Sequence, residues 1–219
     1  LIEKSWYLNH YYFVSLVAFL LLLVPANRYF SADVKLFPRI RAQTVPVWTI
    51  LIFKLQLSVV YFFGGIAKLK SDWLLDAQPL KIWLKVKTDL PLLGWLFEYD
   101  LTAYLFSWSG MLYDLCIPFL LFYKKSRPLA YLLVVIFHVL THVLFHIGMF
   151  PWMMIFGSLV FLTHQEWAKI LSFFKLQLPN FNTSRAHKTN KTLLIFLCVF
   201  FGFQFLFPLR HHVLSDHVL

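Results

Sequence analysis

Six apolar runs, at about residues 11–25, 47–67, 101–123, 128–147, 149–162 and 192–207, leave this chain little choice of fold. Runs of that length with almost no charge inside them read as membrane helices. In lipid the backbone has to satisfy its own hydrogen bonds, and a helix does so within one segment. Composition points the same way: 60% of the 219 residues are hydrophobic, 14% are charged and the mean hydropathy is +0.69, more apolar surface than one soluble core of this size can hide. The expected fold is all-α, a polytopic transmembrane helical bundle forming a single domain over residues 1–219. Amphipathic stretches at about 71–93 and 167–178 read as helices lying in the interface. With 25 Phe, 8 Trp and 10 Tyr, there are more rings than interfacial belts require. Lipid-facing packing accounts for most of them, and the surplus suits the wall of an internal cavity for a flat or greasy ligand.

The net charge of +10 is topology, because the basic residues sit in short loops between apolar runs instead of clustering on one solvated face; nucleic acid is not an expected partner, and membrane lipids are. The loops on the side opposite Leu1 carry the larger share of Lys and Arg, among them Arg28, Arg41, Lys124, Lys125, Arg127, Lys169 and Lys188. The positive-inside rule therefore places those loops in the cytoplasm. The acceptor patterns at Asn182 and Asn190 fall on that side and are discounted as glycosylation sites. Cys116 and Cys198 stand inside apolar runs, where cysteine acts as a small hydrophobe, and no disulfide is inferred. The chain starts at Leu1 without an initiator methionine, so a preceding segment is expected.

Chemistry concentrates at residues 59–73, VVYFFGGIAKLKSDW, where an apolar helix runs into Lys68, Lys70 and Asp72. A lysine at the lip of a membrane helix is either an anchor that reaches for the headgroups or, once desolvated, a base. Gly64 and Gly65, just before it, allow a neighbouring backbone or a ligand to come close. Asp114, a carboxylate among apolar neighbours, reads first as the structural partner of a hydroxyl or base on an adjacent helix. His138, His142 and His146 recur every four residues and form one helical stripe. In the inferred orientation His10 opens the first run, Lys68 closes the second, and His138 and His146 approach the same non-cytoplasmic half. A lysine among imidazoles, with only Asp72 as an evident carboxylate, reads as a general-base site and not as a salt-bridge network.

These residues carry a resemblance to a known family. Asn9-His10, the pattern Ala26, Asn27, Tyr29, Ser31, Asp33, the trio Val45, Pro46, Trp48, the core from Val60 to Trp73, Asp114, Phe137-His138 and the IGMF of residues 147–150 are together similar to the vitamin K-dependent γ-glutamyl carboxylases and their membrane-domain relatives. The resemblance covers most of the chain; it differs at Ala67-Lys68, where the family has two adjacent lysines. It implies an integral membrane enzyme in which vitamin K hydroquinone, oxidised by O2 to the epoxide, provides the base that takes a γ-proton from glutamate, with CO2 then adding to the carbon. It further implies Lys68 as the hydroquinone base, His10 in support of carboxylation, Asn9 and His138 on the quinol oxygens, and Met149 and Phe150 against the ring. A glutamate-bearing protein substrate, a site on the non-cytoplasmic side and residence in the endoplasmic reticulum of a eukaryote or the inner membrane of a bacterium follow. The family continues into a luminal domain, so this chain is expected to be truncated at both ends.

Other readings fit the same residues. A quinol oxidase or epoxidase that does not carboxylate would need the same lysine, and a non-enzymatic lipid- or quinone-binding module would use Lys68 as an anchor. The His138, His142, His146 spacing also suits a membrane iron or zinc enzyme, although one helix alone supplies the cluster, so no metal is expected.

Overall fold

The computed structural model describes residues 9–145, 147–176 and 190–214. They form ten α-helices and no strand: α1 (Asn9–Leu23), α2 (Ala32–Leu36), α3 (Trp48–Ile66), α4 (Ser71–Leu74), α5 (Leu80–Lys85), α6 (Asp100–Phe122), α7 (Arg127–Phe145), α8 (Phe150–Gly157), α9 (His164–Phe173) and α10 (Lys191–Leu214). The fold class is thus the expected all-helical one. Among the described residues α3, α6 and α7 are long and apolar enough to cross a membrane, and the other three apolar runs form shorter apolar helices at Tyr11–Leu23, Phe150–Phe161 and Lys191–Leu206. Leu22, Leu105, Phe119, Leu129 and Leu206 stand exposed on these helices, a surface that only lipid covers without penalty.

Two interfacial stretches differ in detail from the sequence reading. Residues 71–93 form two short helices, α4 and α5, and not one long one. Pro79 has no N–H to continue a helix, and Ala77 turns the chain with φ 52. The second stretch begins earlier than expected, at His164, because Thr163 and Glu166 close a capping box that satisfies two of the first free N–H groups.

The chain divides into two compact units, and the division falls inside α3. The first comprises Leu1–Gln56 and Leu162–Leu219. Its core joins Leu20 of α1, Ile52 of α3 and Leu197 of α10, and Phe19 packs on Phe196 and Phe200. Deep in it Gln56 and Gln204 exchange two amide hydrogen bonds, at 2.9 and 3.1 Å. A buried amide needs a partner, and here each supplies the other's.

The second unit, Leu57–Phe161, holds the rest of α3 with α4 to α8. At one end Leu80 and Leu84 of α5 are buried with Phe97, Ala103 of α6 and Leu144 of α7. At the other end buried Arg127 donates to the carbonyls of Leu121 at 2.8 Å and Phe122 at 3.1 Å. A guanidinium there satisfies carbonyls that the end of α6 leaves open and sits at the negative pole of its dipole. The sharp α6–α7 turn is fixed by that residue.

The amide pair yields a stability prediction. Gln56→Leu and Gln204→Leu should each lower the thermal midpoint of the protein in lipid nanodiscs, by about 1 kcal/mol of stability. The double variant should be no less stable than the weaker single one. Additive losses would show that the two amides act independently.

Candidate functional site

Within the second unit α3 and α6 come together at the glycine pair. A Cβ on Gly65 would stand 2.6 Å from Leu115 Cδ2 and 3.1 Å from the Leu115 backbone nitrogen, and one on Gly64 would stand 3.2 Å from Asp114 Oδ2. Gly65 therefore admits Leu115 of α6, side chain and backbone nitrogen alike, and Gly64 admits the Asp114 carboxylate. Lys68, one turn beyond Gly64, folds back to meet it. Its Nζ donates to Asp114 Oδ2 and, at 3.1 Å, to the Gly64 carbonyl. The ammonium also lies 5.6 Å from the centre of the Trp73 ring. Trp73 is itself pinned to α6: its indole N–H donates to the Ser107 carbonyl at 3.0 Å, and the Ser107 hydroxyl donates to the Trp73 carbonyl. With 22% of the Lys68 side chain and 9% of the Asp114 side chain exposed, the pair is largely shielded from water.

This corrects the expectation of a lysine among imidazoles with Asp72 as the evident carboxylate and no salt bridge. Asp72 is exposed and accepts from the Trp73 backbone N–H, so it serves the start of α4. The carboxylate on Lys68 is Asp114, in the role of partner to a base on an adjacent helix. Long-range packing brings together residues 46 positions apart.

One face further along α3 is a second polar group. Tyr61, two turns before Lys68, meets His138 of α7, with the phenol oxygen 3.0 Å from Nε2. The Tyr113 ring stands edge-on to Tyr61 at 5.9 Å and stacks on Phe137 at 4.0 Å. Phe150, at the start of α8, approaches His138 edge-on at 6.3 Å. The hydroxyls of Tyr113 and Ser158 and Nδ1 of His138 are buried with no hydrogen-bond partner among the described residues. Tyr113 and Ser158 escape a reading by motif, and Tyr61, although inside the core from Val60 to Trp73, is given no role by it; their signal is a hydroxyl inside an apolar run, which has to find a partner.

Of the residues singled out from the sequence, Lys68, Asp114, His138 and Phe150 fall in this unit and line the two groups just described. Met149 lies at the start of α8 with 55% of its surface exposed. His142 stands edge-on to Trp152 at 5.3 Å. Asn9 and His10 open α1 in the first unit, where only their backbone is described, and His146 lies outside the described residues. At the rim, Lys81 donates to the Tyr104 hydroxyl at 3.0 Å and Lys85 pairs with Asp100 at 2.9 Å. That hydrogen bond to Tyr104, helped by the charges of Asp100 and Asp76, holds the Lys81 ammonium above the ordinary lysine range. A separate cavity of about 370 Å³ in the first unit is lined by Leu23, Val24, Pro25, Arg28, Thr44, Pro46 and Trp48. With Arg28 as its one charged lining residue it offers no acid–base pair.

Chemically, the second unit offers an amine hydrogen-bonded to a carboxylate, an imidazole with one nitrogen unspent, and stacked rings. That set can take a proton from a weak acid and hold a planar ring. Compared with known families, residues 1–167 match the HTTM domain. No solved structure matches the chain.

The ion pair predicts an asymmetry. Asp114→Asn should destabilise the protein by roughly 3 kcal/mol, because it leaves a shielded ammonium unpaired, whereas the apolar double variant Lys68→Met with Asp114→Leu should recover most of the loss. Thermal unfolding in nanodiscs reads both. An Asp114→Asn variant as stable as wild type would mean that water, and not Asp114, carries the lysine's charge.

Proposed function

Because the chain belongs to the HTTM-domain family, the membrane domain of the vitamin K-dependent γ-glutamyl carboxylase family, we propose that it is an enzyme that binds vitamin K hydroquinone and couples its oxidation by O2 to the γ-carboxylation of glutamate. The chain is an integral membrane protein whose helices contact lipid. All six apolar runs are read as spans of one membrane domain, with the site toward the non-cytoplasmic side of the endoplasmic reticulum or bacterial inner membrane. When bound, the quinol supplies, through oxidation by O2 to the epoxide, the strong base that removes the γ-proton so that CO2 can add.

The observation that carries this reading is the Lys68–Asp114 hydrogen bond in a shielded, ring-lined setting. To accept a proton from a quinol hydroxyl, Lys68 needs a neutral Nζ. The shared bond gives its own proton a place to rest, on Asp114 Oδ2, without leaving the pair, and a site that excludes water keeps competing proton donors away. The unspent Nδ1 of buried His138 and the rings of Tyr113, Phe137 and Phe150 fit a flat ligand with polar oxygens at its edge. His138 is assigned to one quinol oxygen, with Asn9 on another, Met149 and Phe150 against the ring and His10 in support of the carboxylation step. A glutamate-bearing protein is the assigned substrate.

Purified protein in nanodiscs, given vitamin K hydroquinone and O2, should form the epoxide, and Lys68→Met should lower that rate by at least about 100-fold. Labelled CO2 incorporated into a glutamate peptide tests the second half of the reaction, and its absence alongside epoxide formation would reduce the activity to quinol oxidation. Epoxide formation untouched by Lys68→Met removes Lys68 from the mechanism.

A further inference from the structure

The Tyr61–His138 contact decides more than packing. Both side chains are buried, with 3% of each residue exposed, so each polar atom between them has to be accounted for. The contact has two possible senses. In one, His138 Nε2–H donates to the phenol. The phenol hydrogen then has no partner of its own, and His138 Nδ1 is a bare acceptor that nothing addresses. In the other, the phenol donates to Nε2, and the proton of the neutral imidazole moves to Nδ1. The chemistry of the two groups favours the second sense. A phenol O–H is a more acidic donor than a neutral imidazole N–H, and an imidazole nitrogen is a more basic acceptor than a phenol oxygen. The Tyr61 hydroxyl therefore gives its hydrogen to His138 Nε2 across the 3.0 Å contact. His138 Nδ1, buried and without a hydrogen-bond partner among the described residues, then carries a hydrogen that nothing there accepts.

We propose that Tyr61 is a positioning residue: by donating to His138 Nε2 it holds the imidazole in the form protonated at Nδ1, and so presents a fixed N–H donor to an oxygen of the bound quinol. The proposal rests on the quinol reading for its ligand, and on the Tyr61–His138 geometry alone for the protonated nitrogen. A donor held in place before binding gains more than one that has to reorganise, because the ordering cost has already been met in the folded protein. A buried N–H without a partner is also destabilising, which makes the ligand-free site receptive to an acceptor oxygen. The class of ligand follows: an apolar ring bearing a hydroxyl or carbonyl oxygen.

The test has two independent readouts. With ¹⁵N-histidine-labelled protein in nanodiscs, His138 is assigned by difference from His138→Asn, and its two ring nitrogens report which one carries the proton. Wild type should show Nδ1–H, and Tyr61→Phe should shift the proton to Nε2. A wild-type His138 protonated at Nε2, or an unchanged spectrum in Tyr61→Phe, overturns the proposal whatever the protein binds. The second readout is anaerobic binding of vitamin K hydroquinone, followed by tryptophan fluorescence without turnover. Tyr61→Phe should weaken it roughly ten-fold. Asparagine places an N–H₂ near the position of Nδ1 whatever residue 61 is, so in a His138→Asn background the same Tyr61→Phe change should cost nothing. A ten-fold loss that persists there assigns Tyr61 a direct or packing role and overturns the proposal. Wild-type protein that shows Nδ1–H yet binds no hydroquinone would instead overturn the function proposed above, and with it the ligand assigned to this donor.

Discussion

A lysine and an aspartate sharing one hydrogen bond inside a largely apolar unit is the arrangement on which the rest of the site depends. Taking either charge out of water alone would cost several kcal/mol, so neither Lys68 nor Asp114 could occupy its place without the other. Their meeting requires α3 and α6 to approach closely, and Gly64 and Gly65 make that possible, since a side chain at 65 would run into Leu115. Helix packing, charge burial and the proposed chemistry are therefore one constraint seen at three scales. The glycines set the distance, the distance sets the pair, and the pair holds the amine on which the proposed chemistry rests.

Around this pair the unit is held by local devices that each satisfy a polar group. Trp73 and Ser107 lock α4 to α6 by two reciprocal bonds, Trp108 donates to the Leu74 carbonyl at 2.7 Å, and Arg127 closes the far end of α6. Trp73 thus does two things: it ties the short helix after Lys68 to the neighbouring span, and its ring lies beside the ammonium. A lysine so confined, by a carbonyl of its own helix, a carboxylate and a ring, is unlike a snorkelling anchor, whose head group stays in water. The hydroxyl-bearing face that Tyr61, Tyr113 and Ser158 build beside His138 supplies a second polar feature at which a flat ligand could be oriented. Membership of the HTTM-domain family and these two features are what the proposed function rests on.

The apolar runs made the all-helical membrane fold legible from the sequence, because a backbone in lipid has so few ways to satisfy itself. Lys68, Asp114 and His138 were legible too, each being an ionisable group inside or at the edge of such a run. What misled was proximity in sequence. Asp72 is four residues from Lys68 and accepts from the backbone N–H of Trp73, while the partner lies 46 residues away. Amphipathic patterning alone also runs α4 and α5 together over 71–93, where Pro79, with no N–H to donate, separates them.

Composition and patterning by themselves determined that this chain lives in a membrane as helices, and which residues were too polar to be there without a reason. Only the tertiary structure decided how those residues pair. Hydropathy is a property of each segment taken singly, whereas the partner of Lys68 or of Tyr61 depends on which helix faces are brought into contact and how closely small residues let them pack.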